Sequence, residues 1–116
     1  MPRMDPVASI IILNHNGRRW LPGCFDALAA QRGAPPFEIV FADNGSTDGS
    51  PALVRERWPS ARVGETGANL GFAAGNNAGA QASAGEWLVF LNNDTAPEPD
   101  WLARLTAEAA AHPAFA

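Results

Sequence analysis

The amino-acid sequence predicts an α/β domain, a mostly parallel four-stranded sheet with helices on both faces. Three observations carry this. Apolar runs alternate with helical patterns along the 116 residues, as in a parallel sheet joined by right-handed crossovers. The runs are continuously apolar rather than alternating, which strands covered on both faces require. Each run also leads into a polar cluster, at the strand ends where open parallel sheets bind ligands.

The elements follow in order. The first strand is residues 7–13, Val-Ala-Ser-Ile-Ile-Ile-Leu. A helix follows, with Trp20, Phe25, Leu28 and Ala29 on one face, closed off by Gly33, Pro35 and Pro36. Strand two spans 37–42. Ser50 and Pro51 read as an N-cap and first-turn pair, opening a helix through Leu53, Val54 and Trp58 that Pro59 stops. A weak third strand lies at 61–64. The small-residue helix at 72–84 closes at Gly85, a natural C-terminal glycine. The fourth strand spans 87–91, and a last helix at 101–111 turns Trp101, Leu102 and Leu105 to the core before Pro113. Ala114, Phe115 and Ala116 read as the opening of another strand, so the chain reads as the front part of a larger protein.

Composition narrows the function. The net charge of −4 and the acidic pI near 4.9 argue against nucleic-acid binding, which needs a basic stripe. All 8 basic residues are arginine, and alanine is abundant; both read first as codon usage. With no lysine there is no phosphate-binding P-loop, and the first loop lacks the glycine spacing of a dinucleotide fingerprint. Cys24 stands alone, so no internal disulfide forms; a reducing, cytoplasmic compartment fits, and Cys24 reads as core filler. No apolar stretch approaches the roughly 18 residues of a membrane span.

Four polar loops on one sheet edge make a candidate crevice: Asn14 to Gly17, Asp43 to Asp48, Glu65 to Asn69, and Asn92 to Asp94. Asp43 either accepts hydrogen bonds from a base or ribose, or serves the Asn44-Gly45 turn. Asp94 either holds a hard cation together with substrate phosphates or caps the following helix. His15 reads as structural or merely nearby rather than as a base, and His112 as a favourable helix-end charge.

The blocks Val7-Ala8-Ser9-Ile10-Ile11-Ile12-Leu13-Asn14, Asp43-Asn44-Gly45-Ser46-Thr47-Asp48-Gly49-Ser50, Asn69-Leu70-Gly71-Phe72-Ala73-Ala74-Gly75-Asn76-Asn77-Ala78-Gly79 and Phe90-Leu91-Asn92-Asn93-Asp94 form an ordered series. The series resembles the nucleotide-sugar-binding half of glycosyltransferase family 2, inverting enzymes with the Rossmann-like GT-A fold, in its rhamnosyltransferase-like branch. The resemblance runs from Val7 to about Trp101 and implies a single domain over 1–116, truncated before the acceptor-binding half.

By this resemblance Asn14, Asp43, Ser46, Asn69, Gly71, Asn77, Asn93 and Asp94 bind the nucleotide sugar. Asn14 contacts base and ribose, Asp43 the pyrimidine ring, Ser46 shapes the same turn, and Asp94 ligates Mg or Mn. The implied reaction is metal-assisted transfer, with inversion, from a dTDP- or UDP-sugar to a glycan or polyprenyl-linked hydroxyl in cell-surface polysaccharide synthesis. It implies a cytoplasmic location, extending to peripheral contact with the inner face of the membrane. Two departures stand out. Asn92 replaces the first acid of the family's metal motif, and the general base is expected beyond Ala116, so the isolated chain is expected to be inactive. Asp100 reads instead as the opening of the last helix. The alternative is a non-catalytic nucleotide-binding module. A receiver-like domain is disfavoured because Asn14-His15-Asn16 offers no acidic pair, and a flavodoxin-like domain because that loop lacks hydroxyls.

Overall fold

The computed structural model describes residues 5–111. Its order is β1 (Ala8–Asn14), a 3₁₀ turn (Arg18–Trp20), α1 (Leu21–Ala29), β2 (Phe37–Asp43), α2 (Ser50–Arg57), β3 (Arg62–Glu65), α3 (Phe72–Gln81), β4 (Trp87–Asn92) and α4 (Trp101–Ala111). The four strands are parallel and lie in the order β3-β2-β1-β4. The chain winds outward from β1 to β3 and then crosses back to β4, so the strand order reverses between β1 and β4. That reversal opens a crevice at the carboxyl ends of the strands.

Alternate residues of β1 and β2 feed two different layers. Ile10, Ile12 and Phe41 pack with Leu21, Cys24, Phe25 and Leu28 of α1, Val54 of α2 and Leu102 of α4. Phe25 stacks on Trp58, with ring centroids 4.4 Å apart, which closes this layer beside α2. The opposite face holds Ile11, and α3 lies against it through a glycine. A Cβ on Gly79 would come within 2.5 Å of Ile11 Cγ2 and 3.4 Å of Ala42 Cβ. Helices therefore cover both faces, and α3 packs mainly on β1 and β2. Leu88 and Phe90 of β4 are about half exposed, at 44% and 51%.

Several boundaries differ from expectation. Each strand runs one residue further into its polar cluster, because Asn14 pairs with Asp43 and Asp43 with Glu65 in the ladder. Gly49, not Ser50, caps α2, with φ 82°. Asp48 supplies the capping oxygen: its Oδ1 accepts from the Ser50 backbone N–H at 3.0 Å and also from the Ser50 hydroxyl. Helix α3 stops at Gln81 rather than 84. Gly85 is required for another reason, since a Cβ there would sit 2.7 Å from the Ala8 carbonyl carbon and the Ser9 nitrogen. Trp20 and Ala29 face outward, and the buried stripe of α1 is Leu21, Cys24, Phe25 and Leu28. Leu105 is 40% exposed, leaving Leu102 as the buried anchor of α4. Cys24 is core filler as expected, its thiol pushed up to about 11 by burial and, secondarily, by the negative charge of Asp94. His112, Pro113 and the strand expected at Ala114, Phe115 and Ala116 lie outside the described residues.

Candidate functional site

Strand register brings the polar ends together. Asn14 closes β1 directly beside Asp43 of β2, while Leu13 pairs with Asn92 of β4. The Asn14 carboxamide, 1% exposed, donates through Nδ2 to Asp43 Oδ1 at 2.9 Å and to Ser46 Oγ at 3.1 Å. Its Oδ1 accepts from Asn93 Nδ2 at 2.7 Å. One side chain thus ties β1 to the loops after β2 and β4. Asp43 is equally buried. Its Oδ1 also accepts from the Ser46 hydroxyl at 2.7 Å, and its Oδ2 from the Ser46 backbone N–H at 2.9 Å. The Asp43 carboxylate therefore organises the turn in which Gly45 adopts φ 75°. A Cβ on Gly45 would also strike the backbone of Ala68 and Asn69.

Asn44 is the residue that sequence reasoning passed over. Its side chain, 2% exposed, donates to Asn69 Oδ1 and to the Gly71 carbonyl, both at 3.1 Å. Its Oδ1 accepts from the Thr66 hydroxyl at 2.9 Å and from the Leu70 backbone N–H at 3.0 Å. All of its hydrogen-bonding capacity goes into fixing the loop between β3 and α3. Its backbone carbonyl accepts from His15 Nδ1 at 2.8 Å. A carbonyl can only accept, so this bond places the proton on Nδ1 and leaves Nε2 facing Asn16.

Around this framework lies a cleft of about 380 Å³ at the β1/β4 switch point, reached by Asn69, Gly71, Asn93 and Asp94 of the expected set. His15, Asn44, Asn76, Phe72 and Phe90 line it as well. Asn14, Asp43 and Ser46 do not line it; they form a buried hydrogen-bonded cluster beside it, tied to the lining residue Asn93 through Asn14. Asn77 is not brought in: it is exposed on α3, and Asn76, one position earlier, lines the cleft instead. The reason is helical phase, since Gly75 and Gly79 must face the sheet. A separate, mainly apolar cleft of about 410 Å³ lies at the amino ends of the strands, between Phe25, Phe37 and Trp58, away from every polar loop.

Residues 9–116 match the family model for glycosyl transferase family 2. The chain belongs to glycosyltransferase family 2. It is 33% identical over 110 residues to the O-antigen biosynthesis protein RfbC of Myxococcus xanthus, covering 92% of this chain and 9% of that one. Over 79 residues it is 40% identical to the N-acetylglucosaminyl-diphospho-decaprenol L-rhamnosyltransferase of Mycobacterium tuberculosis, covering 59% and 25% of the two chains. Among solved structures it is similar to the S. aureus TarS 1–349 complex with UDP-GlcNAc, with a TM-score of 0.80 and 23% identity over 91% of this chain and 32% of TarS. It is similar also to the Pyrobaculum calidifontis mannosyltransferase PcManGT in complex with GDP-Man and Mn2+, with a TM-score of 0.80 and 27% identity over 92% and 33% of the two chains. The chain thus spans well under half the length of these relatives, and its fold, a four-stranded parallel sheet with helices, is shared with GT-A glycosyltransferases.

The donor set for a divalent ion is sparse. Among the described residues no three His, Cys, Asp or Glu side chains converge. Asp94, exposed at the end of β4, is the only carboxylate lining the strand-end cleft, and Asn92 and Asn93 flank it. One carboxylate with neighbouring carboxamides suits a hard cation only when diphosphate oxygens and water complete its shell. Asp100 precedes α4 and faces Arg104 at 3.8 Å, which agrees with a helix-opening role.

Proposed function

We propose that this chain is the donor-binding half of an inverting, metal-assisted glycosyltransferase. It would take a UDP- or dTDP-sugar and serve transfer to a glycan or polyprenyl-linked hydroxyl in cell-surface polysaccharide synthesis. The observation that carries the reading is the convergence of the loops after β1, β2, β3 and β4 on one cleft at the switch point. Asp94 lines it, and the bonded cluster of Asn14, Asp43 and Ser46 holds the lining residue Asn93 beside it.

In this reading Asn14, Asp43 and Ser46 build the base and ribose end, with His15 and Asn93 beside them. Asn69 and Gly71 border the sugar, and Asn77 is replaced in that role by Asn76. These residues position the donor, which lowers the barrier by removing orientational freedom. Asp94 would hold Mg or Mn against the diphosphate; a cation bound there would neutralise charge on the leaving group. The acceptor oxygen forms its bond to the anomeric carbon as the bond to the diphosphate breaks. Its proton passes to a base, a role to which this reading assigns none of the described residues. The reaction belongs at the cytoplasmic face of the membrane, a reading supported by the decaprenol in the mycobacterial relative's name.

A second reading, a nucleotide-binding module that does not catalyse, draws on one observation. Among the described residues Asp94 is the only carboxylate lining the cleft, with no second acid beside it to act as base.

Calorimetric titration with UDP and dTDP, with and without Mn2+, tests the donor reading. Manganese-dependent binding that disappears in Asp94→Ala is expected. Binding indifferent to manganese would overturn the role of Asp94, and no binding by a folded chain would overturn the donor site itself.

A further inference from the structure

On the far side of the β1 and β2 loops from the donor cleft lies a shallow groove of about 620 Å³, lined by Arg18, Arg19, Arg57, Asn16, Asp48 and Leu53, among others. Three arginines on one groove are unexpected in a chain with 12 acidic and 8 basic residues. Three of the other arginines have acidic partners: Arg55 pairs with Glu65 at 2.9 Å, Arg62 with Glu38 at 3.3 Å and Arg104 with Asp100 at 3.8 Å. Among the described residues, no carboxylate pairs with the guanidinium of Arg18, Arg19 or Arg57.

Asp48, the one acid on the groove, is already engaged. Its Oδ1 accepts from Ser50, and its Oδ2 from the Arg18 backbone N–H at 3.0 Å. The Arg18 guanidinium donates instead to the Asp48 backbone carbonyl at 3.1 Å, which orients it without neutralising it. Arg19 and Arg57 lie over the rings of Trp20 and Trp58, 4.6 and 4.7 Å from the centroids. Stacking holds a guanidinium by its face and leaves its N–H edge free for acceptors in its plane. The three guanidinium charges outnumber the Asp48 carboxylate by two, which matches a doubly charged anion.

We propose that this groove is a second anion site, separate from the donor cleft, which takes a phosphate monoester or diphosphate group through Arg18, Arg19 and Arg57. Arginine forks match phosphate oxygens in pairs, and a dianion balances the groove's charge. Asn16, which lines the groove, is bonded to the turn after β2: its backbone N–H donates to Ser46 Oγ at 2.8 Å, and its Oδ1 accepts from the Thr47 N–H at 2.8 Å. The phosphate is carried either by a small molecule or by a lipid headgroup.

Two arms distinguish these sources. Inorganic pyrophosphate is titrated into the chain in the presence of EDTA, which silences metal-dependent binding at Asp94. Vesicles of phosphatidylcholine, with and without phosphatidic acid, are tested by flotation. The chain should bind pyrophosphate, or the phosphatidic acid vesicles alone, in a salt-sensitive manner. The double variant Arg19→Gln/Arg57→Gln should bind at least about tenfold more weakly. Its circular dichroism should match the wild type, because both side chains are exposed. Binding of neither probe, or equal binding by the glutamine variant, overturns the site. Equal binding by Arg19→Lys/Arg57→Lys overturns paired recognition in favour of diffuse attraction. In a parallel UDP titration the manganese-dependent part of the binding should be unchanged in the glutamine variant; were the donor reading to fail, manganese would change nothing in either protein and the pyrophosphate result would stand apart.

Discussion

Replacing Asn44 tests how far one buried carboxamide holds both fold and cleft. Asn44→Ala removes four side-chain hydrogen bonds, to Asn69, Gly71, Thr66 and Leu70. At about 1 kcal/mol net each the upper figure is ~4 kcal/mol. Asn69, Leu70 and Gly71 are exposed residues that can turn to water, so roughly 2–3 kcal/mol is the expected loss. Asn44→Asp keeps the shape but replaces two donors with an acceptor. The Thr66 and Leu70 donors to one oxygen remain, but the other oxygen would face the Gly71 carbonyl, and the new carboxylate would be buried beside Asp43. Burial and the neighbouring carboxylate raise a carboxyl's pKa, so the protonated form, which can again donate to Gly71, is the tolerated one. The aspartate variant should therefore be closest to wild type at acid pH and lose stability as pH rises toward neutral, the opposite of an ordinary paired carboxylate. Urea unfolding followed by tryptophan fluorescence reads both variants, and UDP titration reads the cleft, where affinity should fall about tenfold or more. An alanine variant within about 0.5 kcal/mol of wild type and with unchanged UDP affinity would refute the reasoning.

Three further outcomes follow from the same geometry. A Cβ at Gly17 would collide with Asn93 Nδ2 and lie 2.6 Å from Asn14 Oδ1, so Gly17→Ala should break the Asn14–Asn93 bond. Asn93 can swing outward, so unfolding should change by no more than about 1 kcal/mol while UDP affinity drops. Glu38 links the start of the sheet to the α3–β4 loop. Burial alone would raise its carboxyl, but bonds from the Ser9 hydroxyl and the Ala84 N–H, together with Arg62, outweigh this and hold it below its ordinary value. That stability is present above the ordinary glutamate range and is lost as pH falls through the lowered value. Glu38→Gln should flatten the fall in stability between about pH 5 and pH 3, measured by urea midpoints. Gly79→Ala adds about 1 kcal/mol of helix propensity but drives a methyl into the buried, β-branched Ile11. Overpacking at about 1–3 kcal/mol should win, and calorimetric melting should show a lower Tm.

Much of this was legible in the sequence because parallel strands advertise themselves. The apolar runs located all four, and the polar residues after them located the edge that bears the cleft. What escaped depended on contacts between distant residues. Strand ends were read one residue short because Asn14, Asp43, Glu65 and Asn92 are polar, although their backbones remain in the ladder. Gly85 resembles a helix terminator, yet it is glycine because Ala8 and Ser9 press against it. Burial of β4 depends on what covers it: α3 lies mainly over β1 and β2, and on that edge strand Leu88 and Phe90 stay half exposed. Asn76 and Asn77 are adjacent and chemically identical, and only the phase set by Gly75 and Gly79 distinguishes them. Asn44 read as a turn residue because its four partners lie in a loop that no local pattern joins to it.

The most direct test of the donor site is to map UDP onto the chain, residue by residue, from backbone amide chemical shifts recorded during titration in the presence of Mg2+. The account predicts that the shifts concentrate at Asn14, His15, Asp43, Ser46, Asn69, Gly71, Asn93 and Asp94, with Asn76 moving and Asn77 not. Shifts centred on the arginine groove, or on the apolar cleft at the amino ends of the strands, would contradict it.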